Sequence, residues 1–262
     1  MNDAELAARQ RASQREMYRV LGEGSPAGRA VELPGGVLAA VVPERPGRSV
    51  LNAVVYEDGE ALLVARDELA AVYDAAGVHA WTVWVHPGDE AVARGLAAAG
   101  HVHDGRPMLM AAPIAEIDLE PRRTLELALE PTWTEVAHCN DRAYGVGPDS
   151  GFGDAFSGFA AGETRAYVAV QDGEPVASVV AGHHRGDCGI YFVATVPEAQ
   201  GRGLAAELMR IALREAAAAG CDSTSLEATA RGEPLYARLG YRSLGRLGMW
   251  ELRRAPGGSG RA

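Results

Sequence analysis

Val193-Ala194-Thr195-Val196-Pro197-Glu198-Ala199-Gln200-Gly201-Arg202-Gly203-Leu204-Ala205-Ala206 is the stretch on which the reading of this chain turns. An apolar, β-branched run ends at Pro197 and two glycines turn the chain. A helical pattern then continues through Glu207-Leu208-Met209-Arg210-Ile211-Ala212-Leu213. A strand, a Gly-rich turn and a helix N-terminus leave several backbone N–H groups in one concavity, at the positive end of the helix dipole. Phosphate suits such a concavity. Gly201 and Gly203 permit positive φ and, without a Cβ, a close approach to a diphosphate. Arg202 adds a cation, and Ala205 keeps the helix slim where a ligand would pass. An ordinary strand-to-helix turn also favours glycine, so Gly201-Arg202-Gly203 alone does not decide between the two. A P-loop is excluded, because no G-x-x-x-x-G-K-[ST] occurs and the chain contains no lysine. A G-x-G-x-x-G fingerprint would need a third glycine at Ala206.

A second segment adds specificity: Gly232-Glu233-Pro234-Leu235-Tyr236-Ala237-Arg238-Leu239-Gly240-Tyr241. Pro234 suits the first turn of a helix and Gly240 its C-terminal cap. Leu235 and Leu239 share the inward face. Tyr236 sits one position round, where it is either a half-buried packing residue or aimed into a cleft.

The two segments, in this order, resemble motifs A and B of the GNAT superfamily of acyl-CoA-dependent N-acyltransferases. The motif A signature [RQ]-x-x-G-x-[GA] is met by Gln200, Gly203 and Ala205, and Val193 to Pro197 looks like the family's fourth strand. The motif B pattern Y-x-x-x-G-[FY] is met by Tyr236, Gly240 and Tyr241. The resemblance is close over 124–254 and faint over 28–113. It implies acetyl-CoA as co-substrate and direct attack of an amine on its thioester, without a covalent enzyme intermediate. Carried over by position, Gln200, Gly201, Arg202, Gly203, Leu204, Ala205 and Ala206 surround the diphosphate. Backbone at Val193, Ala194 and Thr195 holds the pantetheine arm and polarises the acyl carbonyl. The family's fourth and fifth strands splay to admit that arm, and Tyr236 is the general acid for the departing thiolate. Relatives often place a glutamate on the fourth strand as base, where this chain has Ile190-Tyr191-Phe192. Glu227 on the fifth strand is the candidate base, with His183, His184 and His138 as alternatives. The asparagine frequent after the fifth strand is replaced by Thr229-Ala230-Arg231.

Size and composition agree with a globular protein. The 262 residues suffice for one large or two small domains, and 47% of them are hydrophobic. No apolar run is long enough to span a membrane, and the charged N-terminus lacks the apolar core of a signal peptide, so a cytoplasmic protein without a membrane partner is expected. Cys139, Cys188 and Cys221 form neither a disulfide framework nor a metal knuckle. His101-x-His103 lacks a third ligand, so no metal is expected. The net charge of −10 argues against a nucleic-acid partner and mildly favours a cationic substrate.

Along the chain, helices are expected at 3–21, 59–76, 87–99, 131–144, 203–219 and 233–239. Strands are expected at 36–43, 49–56, 79–86, 101–112, 125–129, 164–171, 175–183, 189–196, 223–228 and 241–253. The loop at 145–162 is rich in glycine and phenylalanine. Ala80 to Pro113 and Ser223 to Arg254 share the order strand, helix, glycine, strand, with Gly100 matching Gly240 and Leu96 opposite Tyr236. The expected fold is therefore α/β: two GNAT-like domains in tandem, each a mixed, mostly antiparallel sheet flanked by helices. The boundaries expected are a degenerate copy over 1–115, a linker over 116–123, the transferase domain over 124–254 and a disordered tail over 255–262. In the first copy, Glu57, Asp58 and Glu60 stand at the strand-to-helix junction, where carboxylates repel a diphosphate. The function expected is acetyl transfer from acetyl-CoA to a primary amine, on a small molecule, by a monomer or homodimer. The alternative is a non-catalytic acyl-CoA-binding sensor or interaction module.

Overall fold

The computed structural model describes residues 1–147, 151–153, 155–156 and 164–255. Much of the loop expected at 145–162, including Phe159, and all but the first residue of the expected tail lie outside the described residues. The chain forms two compact units that interleave in sequence. One comprises 1–14 and 108–244, the other 15–107 and 245–262. Each is built on a six-stranded mixed sheet flanked by helices, giving two GNAT-like halves in tandem.

The unit of 15–107 and 245–262 takes the second half of α1 (Asp3–Gly24), then β1 (Arg29–Leu33), β2 (Val37–Val41), β3 (Ala53–Val55), α2 (Gly59–Val64), α3 (Arg66–Ala75), β4 (Ala80–Val85), α4 (Glu90–Ala98) and β5 (Val102–Gly105). Its sheet order is β1-β2-β3-β4-β12-β5, where β12 (Gly248–Arg253) comes from the far end of the chain. The β3/β4 pair is parallel, and the β1/β2, β2/β3, β4/β12 and β5/β12 pairs are antiparallel. Leu62, Leu69, Tyr73, Val83 and Leu96 fill the core beneath α2–α4.

The other unit contains β6 (Met108–Pro113), α5 (Trp133–Tyr144), β7 (Thr164–Gln171), β8 (Glu174–His184), β9 (Asp187–Thr195), α6 (Leu204–Ala218), β10 (Ser223–Ala228), α7 (Glu233–Leu239) and β11 (Arg242–Arg246). Its order, β7-β8-β9-β10-β6-β11, repeats that of the first sheet strand for strand. The expected repeat is thus real in topology, and Gly100 and Gly240 both end their helices with positive φ.

Several local expectations change. The segments 101–112 and 241–253 each split into two strands that join different sheets: β5 and β12 lie in one, β6 and β11 in the other. The compact units therefore do not follow the sequential boundaries 1–115 and 124–254. The expected helix at 59–76 breaks at Ala65 into α2 and α3. The expected strand at 125–129 reduces to a single bridge, Leu127 to Ala169, and β1 was not anticipated.

Candidate functional site

In the unit built on 108–244, α5 begins with a capping box. Thr132 accepts from the Glu135 amide, and the Glu135 side chain accepts from the Thr132 amide at 2.7 Å. The helix stops at Gly145 in the left-handed region. α5 packs on β8 and β9, as does α6.

β9 and β10 run parallel but pair only at Asp187/Ser223, Cys188/Thr224 and Gly189/Ser225. Beyond Gly189, the rest of β9 (Ile190 to Thr195) has no partner on the β10 side. On its other edge β9 carries a bulge. Ala194 faces Ser178 and Tyr191 faces Val180, so Phe192 and Val193 share the place of one residue. Phe192 has φ +49°, uncommon for an aromatic side chain, and Ser178 Oγ donates to its carbonyl at 3.0 Å. Its ring meets Trp133 edge-on at 5.1 Å. Val193, Ala194 and Thr195 thus lie on the strand edge left open where the two strands part.

The turn that follows is open. Gln200 Nε2 donates to the Thr195 carbonyl at 3.0 Å, and Gln200 Oε1 accepts from Arg231. Gly201 and Gly203 have φ of 76° and 75°, and Gly203 caps α6 without any side-chain cap. The first backbone bond of the helix is Glu207 N–H to the Gly203 carbonyl at 3.2 Å. Among the described residues, the N–H groups of Gly201, Arg202, Gly203, Leu204, Ala205 and Ala206 make no hydrogen bond. A Cβ on Gly201 would meet nothing within 4 Å, and one on Gly203 only Arg123 Nη2 at 3.8 Å. The fit to a diphosphate is good: six donors, a helix N-terminus and backbone free of side chains. Arg202 is tied to Gln171 Oε1 at 3.2 Å and the Glu198 carbonyl at 2.9 Å. Arg123 makes no ion pair among the described residues.

The corresponding junction of the other unit is closed by its own side chain. Asp58 caps α2, and its Oδ1 accepts from the amides of Glu60 at 2.8 Å and Ala61 at 3.2 Å. Two of the amides at that junction are thus taken by a carboxylate, and Leu96 stands where the second half has Tyr236.

Tyr236 lies on α7 at 7% exposure, edge-on to Tyr241 at 6.0 Å. Its hydroxyl has no hydrogen-bond partner among the described residues, and burial raises its pKa, so the phenol stays protonated. Glu227 on β10 points to the opposite face of the sheet from Leu226 and Ala228, towards Gln10 of α1, whose Nε2 donates to its Oε1. Burial pushes the Glu227 carboxyl up to about 7, against the Gln10 bond, which favours the charged form. It keeps some exposed surface. Tyr236 and Glu227 lie within electrostatic range of each other.

The remaining candidates lie elsewhere. His183 pairs with Cys188 and His184 with Asp187, at the closed end of the β8–β9 hairpin. The three cysteines are buried and form no disulfide among the described residues, and burial pushes the Cys139 thiol up to about 12. His101 and His103 pack against Trp81 and Trp250, and among the described residues no group of three potential ligands is placed to hold a metal. No helix among the described residues is long and apolar enough to cross a membrane.

The family model of the acetyltransferase (GNAT) family matches residues 131–241. This segment is a GNAT domain. Its span contains the open turn, the parted strands β9 and β10, and α7. The fold of the chain is similar to a GCN5-related N-acetyltransferase from Kribbella flavida, with 19% identity, a TM-score of 0.66 and 96% of each chain covered. It is also similar to a GCN5-related N-acetyltransferase from Sphaerobacter thermophilus, with 15% identity, a TM-score of 0.52, 94% of this chain and 91% of that one covered. A tandem GNAT protein from the clavulanic acid biosynthesis pathway aligns at 13% identity and a TM-score of 0.50, over 96% and 97% of the two chains. No curated protein matches the chain. Sequence reasoning missed three features around the GNAT domain: Arg123, the bulge at Phe192, and Gln10 against Glu227. Arg123 falls in the segment 116–123, expected from sequence to be a linker. The other two depend on which strand or helix lies alongside, which no local pattern encodes.

Proposed function

We propose that the protein transfers an acetyl group from acetyl-CoA to the amine of a small molecule, at the site of the GNAT domain. The observation that carries this reading is the run of six unpartnered amides from Gly201 to Ala206, beside a β9 edge that its parallel neighbour has left. In this reading those amides, with Arg123 and Arg202 alongside, hold the diphosphate, and the backbone of Val193 to Thr195 holds the pantetheine arm. Glu227 accepts the proton of the incoming ammonium. A carboxyl titrating near 7 is suited to that work at neutral pH. Tyr236, kept protonated by burial, donates its proton to the sulfur as the C–S bond breaks. Among the described residues Glu227 has no arginine as a hydrogen-bond partner, which favours a cationic acceptor as its counter-ion.

Replacing Tyr236 with Phe tests the catalytic reading. In that variant kcat should fall by about 10²-fold or more, with acetyl-CoA affinity unchanged. Unchanged kcat removes the acid role. Binding of acetyl-CoA by a protein that turns over no amine supports a sensor instead.

A further inference from the structure

The segment just before the matched GNAT domain has neither helix nor strand over residues 118–122, yet it is bonded along its length to α6 and α7. The Asp118 amide donates to the Leu239 carbonyl at 3.0 Å, where α7 ends. Arg210 of α6 donates through Nε to the Asp118 carbonyl and through Nη2 to its carboxylate, at 3.1 Å each. Arg214, one turn on, donates to the Leu119 carbonyl at 2.9 Å. The Arg122 amide donates to Glu207 at 3.1 Å, and Glu207 also pairs with Arg210 at 3.4 Å. Glu207 is 1% exposed and lies in the first turn of α6. A buried carboxylate there costs desolvation and weakens the pull of the helix N-terminus on an anion, so its place needs a reason. Anchoring the chain at Arg122 supplies one.

The residue after that anchor is Arg123. It is exposed and makes no hydrogen bond or ion pair among the described residues. Its Nη2 lies 3.8 Å from where a Cβ on Gly203 would stand, so the guanidinium overhangs the middle of the run of open amides. Arg202, the cation inside the turn itself, is placed differently. Its two terminal nitrogens already donate to Gln171 Oε1 and to the Glu198 carbonyl.

We propose that Arg123, rather than Arg202, is the principal cation for the diphosphate of the cofactor, and that Asp118, Glu207 and Arg210 are positioning residues that hold it over the turn. The inference rests on the transferase reading above and extends the cofactor site beyond the GNAT domain. A guanidinium offers paired, coplanar donors that match two phosphate oxygens, and one without a protein partner gives up no bond to make them. Arg202 would have to release its own acceptors first, so its part is chiefly to shape the turn.

The test is calorimetric titration of the full chain with acetyl-CoA and with 3′-dephospho-CoA. Arg123→Gln should weaken acetyl-CoA binding by about tenfold, and Arg202→Gln by about threefold or less. The Arg123→Gln loss should shrink as salt is raised from about 50 mM to about 0.5 M, which a purely structural effect would not do. The same loss should appear with 3′-dephospho-CoA; a loss confined to acetyl-CoA places Arg123 on the 3′-phosphate and overturns the diphosphate assignment. Asp118→Ala should weaken binding about threefold in the wild type and not at all in the Arg123→Gln background. Removing a negative charge would by itself tighten an anion, so that weakening reports lost position. Unchanged or tighter binding by Asp118→Ala overturns the positioning role. Equal losses from the two arginine variants, or none from Arg123→Gln, overturn the proposal while the transferase reading stands. Failure of the wild type to bind acetyl-CoA overturns both.

Discussion

Replacing Gly203 with Glu places a carboxylate in the mouth of the open turn, and its consequences divide cleanly between folding and binding. Sterically the site accepts a side chain, since a Cβ there meets only Arg123 Nη2 at 3.8 Å. The folding cost is then mainly that of holding an L-residue at φ +75°, about 1–2 kcal/mol. Binding suffers more. A carboxylate about 5 Å from one negative charge of a diphosphate, at an effective dielectric constant near 20, repels it by about 3 kcal/mol, roughly a hundredfold in Kd. The new side chain also competes for the amides of Gly201 to Ala206, as Asp58 does in the other unit. Gly203→Ala carries the strain without the charge and isolates the electrostatic part. The assay is calorimetric titration with acetyl-CoA, paired with thermal melts of both variants. The reasoning is refuted if Gly203→Glu binds within about threefold of Gly203→Ala, a difference of under ~1 kcal/mol.

Three further outcomes follow from the same structure. Asp58→Ala removes the cap of α2 and should cost about 1 kcal/mol in a denaturant melt, without altering acetyl-CoA affinity; a weakened affinity contradicts the assignment of the cofactor to the other turn. Glu227 has a folded pKa near 7, above that of an unfolded glutamate, so the native state holds its proton more tightly and loses stability as pH rises from about 4.5 to 7. Glu227→Gln should therefore melt higher than the wild type at pH 8 with little difference at pH 4.5, and a stabilisation independent of pH would contradict the raised pKa. His101 is the opposite case, since burial lowers it to about 4 and the unfolded chain binds the proton first as pH falls below about 6.5. His101→Leu should accordingly gain stability over the wild type at pH 5 relative to pH 7.5, and equal melting differences at both values would contradict a buried neutral imidazole.

Most elements were legible because their signals are local. Strands at 164–171 and 223–228 and the helix at 233–239 fall where alternation, Pro234 and Gly240 placed them. The turn at 200–206 was legible for the same reason, since glycines at fixed offsets before a helical pattern report a backbone shape directly. What escaped was partnership. The run Val102 to Pro113 reads as one extended segment, yet β5 and β6 enter different sheets, and β11 and β12 do likewise. Alternation shows which faces a strand buries and is silent on which strand lies beside it. The same limit hid the polar face of α1. Gln10 looks like a solvated helix residue until Glu227 is set opposite it. Phe192 gave no warning of its positive φ, because the bulge is imposed by the pairing with β8 and by Ser178 rather than by a glycine.

The most direct test of the central claim is the stoichiometry of acetyl-CoA binding to the unaltered protein, measured by isothermal titration calorimetry. One open turn at 201–206 and one turn closed by Asp58 predict a single site per chain. Two sites would contradict the closure of the first turn, and no binding would contradict the role given to the second.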